Sequence, residues 1–237
     1  VSGLQGETAL VTGGARRIGA AIVGALAAAG AGVVIHHRDS KAEAAALARS
    51  ITAKGGRAWT VRGDLAKAKD RGRLLADSHE AAGAPITLLV NNASTFPESK
   101  VSNLSLEDLN DAIEVNAWAP FTLTRTFAER LPQGRRGAVV NLVDARIADY
   151  DWGHVGYWLA KRMLADLTRL SAIEFAPRVT VNGVCPGAVL GPSTKSMTPQ
   201  EEKAFLDRMA KHVPLQSTPT PQDIAAAVVH LLSSPHT

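Results

Sequence analysis

The chain is short of several things, and each shortage removes a class of function. It has one cysteine, Cys185, in 237 residues, so neither an intrachain disulfide nor a cysteine-rich zinc site can form. That count fits a reducing compartment, and the expected localisation is cytoplasmic. No apolar run approaches the roughly 18 residues of a membrane span, and the start shows no signal-peptide pattern. Charge of one sign is nowhere concentrated. The net charge is only +4, and the basic residues are scattered apart from Arg16-Arg17 and Arg135-Arg136. A nucleic-acid footprint needs a basic stripe on one face, so no such partner is expected. Two local arginine pairs suit small anions better. His36 and His37 lack partners at metal-ligand spacing, and no metal is assigned.

What is present is an alternation. Short apolar runs at residues 7–12, 33–36, 58–61, 86–90, 138–143 and 179–184 read as strands. Between and after them, helices are predicted at 17–29, 42–53, 67–82, 106–130, 155–175, 199–212 and 221–232, the long one interrupted near Pro120. Strands alternating with helices imply βαβ units. The expected fold class is α/β, a single doubly wound (Rossmann) parallel sheet with helices on both faces, forming one domain over residues 1–237. A loop and helix at 188–212 stand where a substrate lid would sit.

In such sheets ligands bind beyond the carboxyl ends of the strands, and the residues at those stops are unusual. After the first strand, Gly13 to Gly19 lead into a helix, where backbone N–H groups and the helix dipole make an anion site. Arg16, Arg17 and Ile18 lie within that turn. Past the second strand, His37 and Arg38 stand where an acid would hold the adenosine 2′-hydroxyl of NAD. Their cationic or neutral character favours the 2′-phosphate of NADPH, with Asp39 as a complication. Asp64 and Leu65 follow the third strand, where Asp64 can accept from the adenine amine or cap the next helix. Asn92, Ala93 and Ser94 follow the fourth, Asp144 the fifth, and Pro186 and Gly187 the sixth. On the next helix, Tyr157 and Lys161 are four residues apart and share a face. A cation beside the phenol is expected to lower its pKa and make Tyr157 the proton donor or acceptor.

The set Thr12-Gly13-x-x-x-x-x-Gly19, Asp64, Asn91-Asn92-Ala93, Asn116, Tyr157-x-x-x-Lys161 and Pro186-Gly187 resembles the short-chain dehydrogenase/reductases over nearly the whole chain. The resemblance implies an acid/base role for Tyr157. It implies that Lys161 binds the nicotinamide ribose and tunes the tyrosine, and that Asn116 supports a proton-relay water. The departures are specific. Asp144 stands where the family places a serine thirteen residues before the tyrosine, Arg17 replaces a middle glycine, and Ser94 replaces another, with Phe96 two residues on. These resemble the pteridine reductases and the dihydromonapterin/dihydrofolate reductases. That likeness implies Arg17 near the cofactor phosphates and the pterin, Ser94 between cofactor and substrate, Phe96 stacked on the pterin, and Asp144 in the proton path.

The expected activity is therefore NADPH-dependent reduction of a dihydropterin to a tetrahydropterin, with a pterin or folate as small-molecule partner and a homotetramer as the assembly. Two rivals remain open: a carbonyl or alcohol oxidoreductase with Asp144 in place of serine, and an idle NADP-binding sensor. Cys185 reads as an inert small hydrophobe.

Overall fold

The computed structural model describes residues 3–191 and 197–234. Six strands, β1 (Thr8–Val11), β2 (Gly32–His37), β3 (Ala58–Arg62), β4 (Leu88–Asn91), β5 (Gly137–Leu142) and β6 (Val179–Val184), form one parallel sheet in the order β3-β2-β1-β4-β5-β6. Valines, isoleucines and leucines dominate β1, β2, β4 and β5, and every residue of these four strands is buried. This is the near-continuous apolar pattern of parallel strands covered on both faces.

Alternate residues feed two cores. Val11, Val33, Ile35, Val90 and Val140 point to one face, against Ile22 and Leu26 of helix α1 (Arg17–Ala28), Ile51 of α2 (Lys41–Ala53) and Val228 of α8 (Pro221–Ser233). Leu10, Val34, Leu89 and Val139 point to the other, against Leu74 of α3 (Ala68–Ala82) and Leu123 and Phe127 of α5 (Ala119–Arg130). Each such aliphatic or aromatic side chain contributes roughly 1.5–3 kcal/mol by leaving water. The strand order reverses beside β1, where β2 lies on one side and β4 on the other. A doubly wound sheet opens a crevice at that switch point.

The predicted long helix is divided close to Pro120, by a π turn just ahead of it. Helix α4 (Leu106–Ile113) runs into a π-helical turn (Glu114–Trp118) and then into α5. Pro120 sits in the first turn of α5, where a missing N–H is tolerated. It has no N–H to offer the carbonyl of Asn116 four residues back, and the widened turn ends just before it. The second strand also runs one residue further than expected, ending at His37. Of the segment at 188–212, α7 (Pro199–Ala210) is helical as expected, and residues 192–196 lie outside the described residues.

Candidate active site

The crevice beside β1 is a cleft of about 400 Å³. Gly13, Arg16, Arg17, Ile18, Gly19, His37, Arg38, Asp64, Leu65, Asn92, Ala93 and Ser94 all line it, as do His36, Asp39 and Thr95. Twelve residues expected at a dinucleotide site from separate stops along the sequence thus share one wall. Pro186, Gly187, Asn116, Phe96, Asp144, Tyr157 and Lys161 do not line this cleft and stand beyond it.

The glycine loop is built around two constraints. Gly13 has φ +60°, the left-handed region that favours glycine. A Cβ on Gly19 would lie 2.3 Å from the Gly13 carbonyl oxygen and 2.7 Å from Asn92 Nδ2, so no side chain fits there. Asn92 Nδ2 donates to the carbonyls of Thr12 (2.9 Å) and Gly13 (3.1 Å), and Thr12 Oγ1 accepts from the N–H groups of Asn92 and Ala93. Asn92 therefore clamps the loop. Arg17 has a left-handed backbone, at φ 56°, a conformation costing roughly 1–2 kcal/mol for an L-residue. Its Nη2 donates to the Gly191 carbonyl at 2.5 Å, and the Gly191 N–H donates to Glu202 on α7 at 2.7 Å.

Two features of the cleft fit a bound dinucleotide phosphate. Helix α1 has no side-chain cap and no acid in its first turn, whereas α4, α7 and α8 close their N-termini with capping boxes from Ser105, Thr198 and Thr220. Its free N–H groups face the cleft through Arg17, Ile18 and Gly19. At the other end, His37 is 5% exposed and its Nδ1 is buried with no partner among the described residues. Arg38 pairs with Asp39 at 2.7 Å through Nε, so the acid that complicated the cofactor choice is neutralised by its neighbour. The Asp64 side chain caps a turn by accepting from Ala66 N–H at 3.1 Å, not the first turn of α3.

Beyond the cleft, Tyr157 and Asp144 meet. The phenol donates to Asp144 Oδ2 at 2.6 Å, and Asp144 Oδ1 accepts from the Arg146 N–H at 2.8 Å. Tyr157 is 6% exposed and Lys161 2%. Both belong to α6 (Val155–Phe175). The electrostatics reverse the expectation for Tyr157. Burial first, and then the Asp144 carboxylate and its hydrogen bond, push the phenol pKa well up. Lys161 does not counter this, because its Nζ lies 5.7 Å from the ring centroid and donates to the Leu142 carbonyl at 2.7 Å. Burial pushes the Lys161 ammonium down to about 8, against the pull of Asp144.

Asn116 also departs from expectation. Its Oδ1 accepts from Ser94 Oγ (2.6 Å) and Thr95 N–H (3.0 Å), and its Nδ2 donates to Thr95 Oγ1 and the Ala112 carbonyl. All four side-chain bonds of an amide are taken, which leaves only the main-chain carbonyl for a relay water. Asn116 instead anchors the residues joining the cleft to Tyr157. Next along that stretch, Phe96 meets Tyr157 edge-on at 4.7 Å, stacks on His154 at 3.8 Å and lies under the Arg146 guanidinium at 4.8 Å. With His154 stacked on the ring and the Arg146 guanidinium over it, the expected stacking of a pterin on Phe96 is not open in this arrangement. The Pro186 carbonyl accepts from Ala145 N–H, which sets the end of β6 beside Asp144, and Cys185 there is exposed.

Sequence reasoning missed several contributors. His36 Nδ1 accepts from the Gly13 N–H (3.1 Å) while its Nε2 lies 3.1 Å from the Gly63 carbonyl. Burial pushes its pKa down to about 4, so it is neutral and, with Nδ1 accepting, Nε2 carries the proton. Buried Arg71 donates to the Leu65 carbonyl and pairs with Glu114, both at 2.6 Å, tying the cleft wall to the π turn. The trio Arg146, Asp151 and His154 borders Phe96. Burial raises the Asp151 carboxyl, but the His154 hydrogen bond and the Arg146 charge outweigh it and hold the group below the usual range. For His36 no local pattern exists, because Gly13 and Gly63 come from the ends of other strands, and Arg71 meets Glu114 only through the fold.

Residues 13–236 match the family profile described as enoyl-(acyl carrier protein) reductase. An uncharacterized oxidoreductase of Mycobacterium tuberculosis is 36% identical over 97% of this chain and 86% of that protein. The 3-oxoacyl-[acyl-carrier-protein] reductase FabG of Staphylococcus epidermidis is 28% identical, over 96% and 91%. Among solved structures, the FolM alternative dihydrofolate reductase 1 of Brucella canis, complexed with NADP, superposes with a TM-score of 0.91 and 34% identity, over 99% of this chain and 90% of that one. With the sheet order, the clamped glycine loop and the Tyr157–Lys161 pair in place, these matches show that the chain belongs to the short-chain dehydrogenase/reductase family of oxidoreductases.

Proposed function

We propose that the protein is an NADPH-dependent reductase of a dihydropterin. The observation that carries this reading is the 2.6 Å hydrogen bond from Tyr157 to Asp144, which puts a carboxyl where a neutral hydroxyl would serve a simple ketone. A carboxyl there can face the N–H edge of a nitrogen heterocycle or pass a proton on, whereas an ionised one would repel a developing alkoxide.

The cofactor assignment rests on the uncapped α1 N-terminus for the pyrophosphate and on His37 Nδ1 with Arg38 for the 2′-phosphate. Several structural relatives are complexed with NADP. When bound, NADPH would supply hydride to the carbon of the substrate C=N bond. Tyr157 gives its proton to the adjacent nitrogen. A phenol whose pKa is pushed up stays protonated at neutral pH, as the reductive direction requires. Asp144, on the far side of the same oxygen, hands a solvent-derived proton to Tyr157 as the first one leaves. Lys161, held by the Leu142 carbonyl at 2.7 Å, keeps its ammonium 5.7 Å from the ring, on the wall that would face the cofactor ribose. Asn116 holds Ser94 and Thr95 in register, and Arg17 and Phe96 border the pterin. The exposed Leu170 and Ile173 of α6 suit a subunit face of a homotetramer.

The 3-oxoacyl reductases among the relatives favour a second reading, reduction of a carbonyl. The test is NADPH oxidation followed by absorbance with dihydropterins beside ketones. Turnover of a dihydropterin, its near-abolition in Tyr157→Phe with NADPH affinity kept, and a collapse in Asp144→Ser are the expected results. Turnover of ketones alone, or a fully active Tyr157→Phe, refutes the proposal.

A further inference from the structure

Beside Tyr157 a cation is fixed in place, and one edge of it is left over from the contacts that hold the proton-transfer groups. Arg146 is anchored twice: its backbone N–H donates to Asp144 Oδ1 at 2.8 Å, and its Nη1 donates to Asp151 Oδ2 at 2.6 Å. The Asp151 carboxylate is itself held by the Gly153 N–H and by His154 Nδ1 at 3.1 Å. The guanidinium packs on Phe96, 4.8 Å from the ring centroid, and the same ring meets Tyr157 at 4.7 Å. Yet the Arg146 side chain is 43% exposed, and its Nε and Nη2 have no hydrogen-bond partner among the described residues. A guanidinium is a planar fork with two usable edges. One edge is spent on Asp151 and orients the group; the other faces solvent beside the phenol.

What passes that edge follows from the substrate chemistry. In a 7,8-dihydropterin the reduced bond is a ring C=N, and its carbon, which accepts the hydride, also carries the tail. With the nitrogen at Tyr157, the tail leaves the ring one bond from the reacting atoms. Phe96, Arg146 and His154, which cluster beside Tyr157, are the side chains such a tail would meet. Two residues of the loop that supplies Asp151, Tyr150 and Trp152, are 75% and 80% exposed, adding flat apolar surface outside the cation.

We propose that Arg146, oriented by Asp151, is a specificity-determining residue that binds a carboxylate on the substrate tail, so that the preferred substrate is a dihydropterin with an aryl-glutamate tail, dihydrofolate, over one with a neutral polyol tail. This rests on the dihydropterin reading above. A polyol offers hydroxyls, which gain far less from a guanidinium than a carboxylate does.

The test is steady-state kinetics with saturating NADPH on 7,8-dihydrofolate and 7,8-dihydrobiopterin, for the wild type, Arg146→Gln and Arg146→Lys. In Arg146→Gln the KM for dihydrofolate is expected to rise about tenfold, as for loss of one charge-assisted pair, while that for dihydrobiopterin rises less than about twofold. Arg146→Lys, which keeps the charge but not the fork, recovers part of the loss. The wild-type KM for dihydrofolate climbs with added salt, and that dependence is absent in Arg146→Gln. Equal rises for both substrates would make Arg146 a structural prop and overturn the inference, as would no change for either. A wild type that reduces neither pterin fails at an earlier point, because it removes the function proposed for the site and this inference with it.

Discussion

His36 offers a sharp test of how the cofactor cleft is held together. The imidazole is 2% exposed and spans from the Gly13 N–H to the Gly63 carbonyl. A proton on Nδ1 would face the Gly13 N–H donor to donor and place a charge in the core. Burial accordingly drives the pKa from 6.5 to about 4. Between those values the unfolded chain binds a proton that the folded chain does not, so stability rises with pH across the window. The contribution is complete above pH 6.5 and lost below pH 4. A shift of that size, at about 1.4 kcal/mol per unit, corresponds to about 3 kcal/mol. Carboxylates titrate nearby, so the comparison must be with a variant. His36→Asn keeps an acceptor for Gly13 but does not titrate. Urea unfolding of both proteins at pH 7, 5.5 and 4 is expected to show the wild-type advantage shrinking by about 3 kcal/mol, with NADPH affinity falling in parallel as the loop loosens. A difference between the two proteins that stays constant from pH 7 to pH 4 would refute the reasoning.

Other substitutions probe the same scaffold. Gly19→Ala drives a methyl to 2.3 Å from the Gly13 carbonyl oxygen, and overpacking of that kind costs about 1–3 kcal/mol. The expected outcome is a lowered Tm with NADPH binding lost in titration, and a variant that binds normally would contradict the packing of the loop. Asn116→Ala removes the four hydrogen bonds of a buried amide and strands their partners. A loss of roughly 2–4 kcal/mol in chemical unfolding is expected, with weakened binding of both cofactor and pterin. If kcat alone fell, a direct part in proton relay would have to be restored.

The parts of this protein that were legible beforehand are those with local causes. Side-chain alternation in a strand and the 3.6-residue turn of a helix come from backbone geometry within a few residues, so all six strands, and helices on both faces of the sheet, could be read from apolar spacing. The same geometry placed Tyr157 and Lys161 on one face of α6. The tight turn after β1 was marked by Gly13, whereas the capping boxes of α7 and α8 came to light only in the structure. Pro120 drew attention to the right neighbourhood of the long helix, but the break took the form of a π turn ahead of it.

The site's electrostatics had no such local cause. The tyrosine and lysine are neighbours by sequence, and spacing alone makes the cation the phenol's obvious partner. Folding instead brings Asp144 to the oxygen, buries the ring and turns Lys161 to the Leu142 carbonyl, so the phenol is pushed up and not down. Asn116 likewise looked available for water until Ser94 and Thr95 arrived from the loop after β4. His36 gained its role from Gly13 and Gly63, at the ends of two other strands, and Arg17 found Gly191 across 174 positions of chain. Sequence determined which elements form and which residues stand at their ends, because those depend on neighbours along the backbone. Tertiary structure decided the charge state, hydrogen-bond partners and direction of each group, because burial and long-range contacts exist only once the sheet has assembled.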